Sequence, residues 1–195
     1  MARDSSATKA RILAAAFDEF AAYGIAGARV DRIADTAGAN KRMIYVYYGN
    51  KEQLFDQVIL QAVEQGAESV PFDAEGLPRY AGAIFDHLTA DPRLMRLLMW
   101  KRLERPEATA LEAQSYARKT AALAAAQRDG HVDPAHAPAD LLTLVLGLAQ
   151  AWYTTAGGDA AGEAEAHRAA HRAAVVDAVA RLVEVRAPAP QPPAA

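Results

Sequence analysis

Cationic and aromatic side chains are concentrated between residues 41 and 51, where no acidic residue occurs. Lys41 and Arg42 open this segment, Tyr45 and Tyr47 follow, and Lys51 closes it. Lys and Arg can donate hydrogen bonds to guanine in the major groove of DNA, while Tyr hydroxyls commonly bind backbone phosphates. A solvated helix face, which is the alternative interpretation, normally carries both signs of charge and few aromatic residues. The segment therefore favours a DNA-reading surface.

Two short helices joined by a tight turn would position these side chains. The first, residues 29–37, has apolar residues at i, i+3, i+4 and i+7, the spacing of one buried stripe. Gly38 is suited to end it, since glycine adopts a left-handed conformation without a Cβ penalty. Asn40 is suited to cap a second helix that begins at Lys41. This order predicts a helix-turn-helix.

In the second helix, Ile44 and Tyr48 lie one turn apart and are expected to face inward. This turns five side chains outward, namely Lys41, Arg42, Met43, Tyr45 and Tyr47, and Met43 among them could touch a thymine methyl group. Lys51 follows a Gly-Asn turn and opens the next helix, so a phosphate bound there would meet an ammonium group and a helix N-terminus. The predicted DNA contacts are Arg29, Asn40, Lys41, Arg42, Met43, Tyr45, Tyr47 and Lys51.

Residues 8–55 resemble the DNA-binding domain of the TetR family of transcriptional regulators, through the runs IADTAG, IYVYY and NKEQLF in the family's order and spacing. The resemblance implies that the third helix enters the major groove. It also implies that Tyr45, Tyr47 and Lys51 hold phosphates.

Two departures from the family pattern affect the predicted contacts. The family usually opens its second helix with Thr or Ser, whereas this chain has Ala28 and Arg29, so Arg29 is expected to reach the DNA backbone instead. Arg42 stands where a small residue is usual, and we expect it to give the protein its own sequence preference.

Charge and composition agree with this interpretation. The chain has 195 residues and a net charge of −3, but residues 1–52 sum to +2 and the remainder to −5. A local positive excess suits phosphate neutralisation, and an acidic remainder reduces nonspecific binding to DNA. The absence of cysteine excludes disulfides and thiolate metal sites. No apolar run of signal-peptide length opens the chain, so we expect a cytoplasmic protein.

The rest of the chain is predicted to be helical as well, because no alternating strand pattern occurs after Leu54. We expect an all-α protein of about nine helices, in which helix four joins a homeodomain-like three-helix head to a helical domain. The predicted organisation is a DNA-binding domain at 6–66, a ligand-binding and dimerisation domain at 67–187 and a disordered Pro/Ala tail at 188–195.

A homodimer is predicted from two apolar helices near the end of the chain. Residues 141–153 are apolar nearly all round but too few to span a bilayer, which needs about 20, so no membrane association is expected. They would bury one face in their own domain and another against a second copy, as in the resembled family. The alternative is that other helices of the same chain cover both faces. The predicted interface comprises Leu142, Val145, Ala149, His171, Ala174, Val175, Ala178 and Leu182.

The resemblance also implies a small, often apolar inducer held among helices four to eight. Each candidate is also suited to an ordinary core position. The candidates are Phe85, Leu88, Met95, Met99, Trp100, Tyr116, Trp152 and Tyr153. Glu163, His167 and His171 have a spacing that could bind zinc, but we expect a solvated or dimer-contacting face there, and no metal site or cofactor is predicted.

The predicted function is a regulator that represses transcription by binding a palindromic double-stranded operator and releases it when a small molecule binds. The alternative is a helical small-molecule-binding or partner-interaction protein whose head has little DNA affinity. No GxSxG or GxGxxG motif supports an enzyme.

Overall fold

The computed structural model describes residues 2–155 and 165–185 of the chain. The predicted tail at 188–195 and Glu163 lie outside the described residues. Within this part every regular element is a helix, which confirms the predicted all-α fold. The helices are α1 (Ala2–Gly27), α2 (Val30–Ala37), α3 (Lys41–Tyr48), α4 (Lys51–Ser69), α5 (Leu77–Ala90), α6 (Pro92–Glu104), α7 (Ala110–Arg128), α8 (Pro138–Thr154) and α9 (Glu165–Val183).

Aromatic and aliphatic side chains of α1–α4 form the core of the head. Phe20 of α1 meets Phe55 of α4 edge to face, with ring centroids 5.1 Å apart. Ile33 of α2 and Ile44 of α3 are buried in the same core, which fixes the angle between these two short helices. Leu97 of α6 completes the core although it lies far along the chain.

Helix α1 is broken at Gly24 and continues beyond it to Gly27. Gly24 has φ 65° and ψ −173°, a conformation that is essentially restricted to glycine. The break leaves the N–H groups of Ile25 and Ala26 without helical acceptors. The carboxylate of Glu104 in α6 accepts both, at 3.2 Å from the nitrogen of Ala26. A carboxylate from α6 therefore caps the last turn of α1.

The packing divides the chain into two compact units. Unit 1 comprises the described residues up to Ser69 together with His87–Glu112, and unit 2 comprises Val70–Asp86 together with the described residues from Ala113 on. The domain bounds predicted from the sequence, 6–66 and 67–187, stay a prediction. That α6 packs in the same unit as the head was not expected from the sequence.

Unit 2 has its own core, to which α5, α7, α8 and α9 all contribute buried residues. Leu141, Leu142 and Val145 of α8 are fully buried, together with Val179 of α9. Phe72 and Tyr80 add an edge-to-face pair with centroids 5.0 Å apart. None of the helices in the described ranges has the length and apolarity needed to cross a membrane.

Substitution of Gly24 tests the break in α1. An added Cβ would lie 2.8 Å from Trp100 Cε3 and would force an L-residue into a glycine-only conformation. Gly24→Ala is expected to lower the free energy of unfolding by roughly 1–3 kcal/mol through strain, with a further cost of about the same size, roughly 1–3 kcal/mol, through crowding.

Gly38→Ala is the matched control, since Gly38 also has positive φ but an added Cβ there meets nothing within 4 Å. It should cost only about 1–2 kcal/mol. Urea unfolding measures both, and equal losses would contradict the close contact at Gly24.

Candidate nucleic-acid interface

The turn between α2 and α3 has the geometry that its sequence predicts. Gly38 is left-handed, with φ 57° and ψ 40°. Its N–H donates to the carbonyl of Asp35 at 3.1 Å, and the N–H of Ala39 donates to the carbonyl of Ala34 at 3.0 Å. The turn itself therefore binds carbonyl groups that the C-terminal end of α2 leaves free. The Asn40 side chain accepts the N–H of Arg42 at 2.8 Å, which confirms the predicted cap of α3.

Two residues anchor the inner face of α3, as predicted. Ile44 is only 2% exposed. The Tyr48 hydroxyl donates to the carbonyl of Lys9 in α1 at 3.1 Å. Burial raises the pKa of Tyr48, so this hydroxyl stays a hydrogen-bond donor at neutral pH.

The outer face of α3 consists of Lys41, Arg42, Tyr45 and Val46. Tyr45 is 44% exposed and Val46 is 71% exposed, which sequence reasoning did not foresee for an aliphatic residue. Met43, which was expected to face outward, is half-buried. The exposed face thus offers two cations, an aromatic ring and a branched aliphatic group.

Lys41 is held by an acidic residue of the neighbouring helix. Its ammonium lies 2.8 Å from the carboxylate of Asp31 in α2. The hydrogen bond that Lys41 donates to Asp31 raises the pKa of Lys41, so the side chain stays cationic. Because both side chains are well exposed, the pair contributes little stability and a phosphate can replace Asp31.

Lys51 lies at the start of α4 and has a partner within the chain that the sequence did not suggest. Its Nζ donates to the carbonyl of Ala28, just before α2, at 3.3 Å. An ammonium group has three donors, so two remain for a phosphate. Lys51 therefore binds the backbone just before α2 and keeps two donors for an anion.

Glu19 of α1 also binds residues at the start of α2. Its carboxylate accepts the N–H of Arg29 at 2.7 Å and the guanidinium of Arg32 at 2.6 Å. Burial opposes ionisation of Glu19, but the hydrogen bonds from Arg32 and Arg29 outweigh it and lower the pKa of Glu19. The Arg29 side chain itself is exposed and makes no cap bond to α2.

A further cation beside α3 was missed in the sequence. The Lys9 ammonium lies 5.1 Å from the ring centroid of half-buried Tyr47. Both residues line a groove of about 710 Å³ between α1, the end of α3 and α4. The 38 positions that separate them in the sequence explain the omission, because only the packing of α1 against α3 and α4 brings them together.

The predicted ligand residues are divided between the two units. Leu88, Met95, Met99 and Trp100 belong to unit 1, and Phe85, Tyr116, Trp152 and Tyr153 to unit 2. Leu88 and Met95 are buried, Met99 is exposed and Tyr153 is half-buried.

Two of the predicted ligand residues have structural partners. Trp100 covers Gly24 of the head, so its ring is engaged in packing. The Tyr116 hydroxyl donates to the carbonyl of Ala139 at 2.9 Å and thereby joins α7 to the start of α8.

In unit 2, two of the predicted ligand residues, Phe85 and Trp152, pack against His171. The His171 ring lies 4.8 Å from Trp152 and 5.6 Å from Phe85, between centroids, and His167 lies 5.2 Å from Trp152. His171 Nε2 is buried and has no hydrogen-bond partner among the described residues. Burial lowers the pKa of His171, and His167 adds to the effect, so the ring is neutral at pH 7.

Half of the predicted dimer residues are in the core of the single chain. Leu142, Val145, Ala149 and Val175 are buried there, so their selection as interface residues is wrong, because they have almost no surface to offer a partner. Ala174 is exposed, and the others are half-buried. The half-buried residues are His171, Ala178 and Leu182.

No group of three potential metal ligands occurs among the residues that the structure describes. Of the residues Glu163, His167 and His171, the first lies outside the described residues.

A capped helix pair with an exposed cationic second helix defines a helix-turn-helix protein, and comparisons with known proteins extend this to a family. Residues 12–58 match the family described as bacterial regulatory proteins, tetR family. Residues 76–181 match the family described as tetracyclin repressor-like, C-terminal domain. The chain belongs to the TetR family of transcriptional regulators, and it is a regulator and not an enzyme.

Individual relatives agree with this assignment. The HTH-type transcriptional repressor SCO4008 of Streptomyces coelicolor is 45% identical over 152 residues, which cover 76% of this chain and 79% of that protein. The HTH-type transcriptional repressor NicS of Pseudomonas putida is 30% identical over 109 residues, 52% of this chain and 51% of that protein. The crystal structure of SCO4942 from Streptomyces coelicolor matches with a TM-score of 0.79 and 38% identity, covering 92% of this chain and 99% of that one.

Glu19 gives the head a pH dependence whose sign follows from its lowered pKa. The carboxylate stabilises the folded state fully above its unfolded pKa of 4.5, and this stabilisation is lost as the pH falls through the lower folded value. Glu19→Gln is therefore expected to cost about 1–3 kcal/mol at pH 7, and this difference from wild type should shrink below pH 4.5. Urea unfolding between pH 3.5 and 7 measures it.

Glu64→Gln, at an exposed position of α4, is the control and should change little. A difference for Glu19→Gln that stays constant over this pH range would contradict the role of the charged carboxylate.

Proposed function

We propose that this protein is a repressor that binds a palindromic operator as a homodimer and releases it when a small molecule binds. The observation that carries the proposal is the outer face of α3, where two cations, a tyrosine and a valine are exposed and no acidic residue of the helix opposes them. Relatives over half or more of the chain are named as transcriptional repressors. Since bacterial operators lie in the cytoplasm, we place the protein there.

Within this proposal the contacts divide by chemistry. Arg42 is exposed at the start of α3, where its guanidinium can bind guanine O6 and N7 in the major groove. Lys41, Tyr45, Tyr47 and Lys51 hold phosphates and fix the register of the helix. The exposed side chain of Arg29 adds a backbone contact, while Asn40 serves as the cap. Met43 contributes less to base contact because its side chain is half-buried.

One observation favours the alternative of a head with little DNA affinity. Arg29 stands at the N-cap of α2 and makes no side-chain cap bond, so α2 lacks the hydroxyl usual in the family. The same binding experiment decides between the two functions.

An apolar or aromatic molecule with one hydrogen-bonding group is the inducer that we propose. Phe85, Trp152 and His171 provide aromatic surface, and the unpaired His171 Nε2 provides a polar atom that such a molecule could satisfy. Linkage requires the inducer and the operator to weaken each other's binding by the same factor, which a ligand titration with and without operator measures.

The homodimer would use the exposed sides of α8 and α9. Leu144 is 44% exposed on α8, beside the face that carries the buried core residues. A Cβ added at Gly147, one turn further on, would meet nothing within 4 Å, so a second helix can approach closely there. Ala170 and Ala174 of α9 are exposed and small. Two recognition helices in such a dimer must lie about 34–36 Å apart, or a multiple of it, to read two half-sites.

Operator binding is tested with the DNA that flanks the protein's own gene. The wild type should shift a fragment of it specifically, and Arg42→Ala should lose preference at one position at a cost of about 1–3 kcal/mol. Lys51→Ala should weaken binding to all sequences and lower the salt slope by about one. Arg102→Ala, at an exposed site of α6, is the control and should bind normally.

Absence of any specific complex with the wild type would support the alternative of a head without useful affinity. Equal loss of specificity from Arg42→Ala and Lys51→Ala would contradict the division between base and phosphate contacts.

Dimerisation is tested by a charge on the exposed side of α8. Leu144→Arg should leave the fold intact, because the side chain is exposed, but should separate the dimer by placing an unpaired charge in the interface. Leu103→Arg, at an exposed leucine of α6, is the matched control and should remain dimeric. Sedimentation at micromolar concentration measures both, and a monomeric wild type would refute the proposal.

A further inference from the structure

Val46 is an aliphatic side chain that the head leaves exposed on its recognition helix. It is 71% exposed, while Ile44 and Tyr48 take the inward positions of α3. Among the described residues of α1–α4, every other exposed large hydrophobic side chain is a tyrosine, whose hydroxyl can be hydrated. A β-branched residue in the middle of a helix is also unfavourable compared with alanine or leucine. Neither packing nor helix propensity therefore accounts for Val46.

The surroundings of Val46 indicate what it contacts. Arg42 lies one turn before it on the same side of α3, and Tyr45 is adjacent. Because α3 has two cations and no acidic residue, its exposed face suits a surface that carries negative charge beside apolar groups. The major groove of B-DNA has this character wherever a thymine places its C5 methyl group between the phosphate backbones.

We propose that Val46 reads a thymine through its C5 methyl group and so determines operator specificity together with Arg42. This inference rests on the proposed operator binding. Side chains at i and i+4 of a helix are about 5–6 Å apart at Cβ, and base pairs are about 3.4 Å apart along the duplex axis. The thymine therefore lies one or two base pairs from the guanine bound by Arg42, and each half-site contains both bases.

Deoxyuridine differs from thymidine only by the missing C5 methyl group, so it tests the contribution of that group alone. An operator is first selected from random DNA with the wild-type protein, and each thymine of one half-site is then replaced in turn by deoxyuridine. Fluorescence anisotropy gives the Kd for each duplex. We expect one position at which the wild type loses about fourfold in affinity, since a buried methyl group contributes about 0.8 kcal/mol. Val46→Ala should bind the selected operator more weakly and be insensitive to the methyl group at that position.

Leu103→Ala removes an aliphatic side chain of similar exposure, 74%, in the same unit, and it should keep the fourfold loss. Val46→Thr, which keeps the branched shape but replaces a methyl with a hydroxyl, should retain part of the loss. The scan with wild-type protein requires no variant, so it remains decisive if Val46→Ala folds poorly.

The possible outcomes separate the inference from the function on which it rests. Failure to select any operator would overturn the proposed DNA binding. Specific binding with no thymine sensitive to its methyl group would overturn the role of Val46 alone. A loss that persists in Val46→Ala and disappears in Met43→Ala would assign the methyl contact to Met43 and likewise overturn it.

Discussion

The backbone between Gly24 and Arg29 is where charged side chains fix the position of the recognition helix. The break at Gly24 and the turn before α2 leave peptide groups that no helix satisfies. Glu104 accepts N–H groups at the break, Glu19 accepts the N–H of Arg29, and Lys51 donates to the carbonyl of Ala28. Since hydrogen bonds to charged groups are stronger than neutral ones, these three contacts hold α2 in a defined direction. Helix α3 then follows through a turn that Gly38 and Asn40 restrict.

This arrangement orders the surface that we propose to bind DNA even when no DNA is bound. The Asn40 cap and the buried face of α3 fix the helix, and Asp31 keeps Lys41 oriented beside α2. The proposed DNA binding would then require only side-chain exchange, because a phosphate could replace the exposed carboxylate of Asp31. Preorganisation of this kind reduces the conformational entropy lost on association. It also makes the direction of α2, and so the contacts of Glu19 and Glu104, relevant to DNA affinity.

Local signals in the sequence were sufficient for the helix-turn-helix but not for its surroundings. Gly38, Asn40 and the stripe on α2 act within a few residues of one another, so their roles could be predicted. Glu104 and Lys9 act across 38 or more positions, and nothing local marks their partners. The interface prediction failed at Val145 and Val175 for another reason: an apolar residue suits a core and an interface equally, and only the packing of α5, α8 and α9 decides. Val46 was overlooked because valine ordinarily indicates burial.

The contribution of α6 to the head has a consequence for building hybrid regulators. A contiguous exchange that ends near Ser69 transfers the helix-turn-helix without Leu97, Trp100 and Glu104. The transplanted core would lack an apolar partner, and the N–H groups of Ile25 and Ala26 would depend on whatever the recipient offers at that position. An exchangeable module must therefore include residues 87–112 as a second segment, or the recipient must already have a matching carboxylate and aromatic ring. Compatibility between donor and recipient is decided at α6, which lies far along the sequence from the helix-turn-helix.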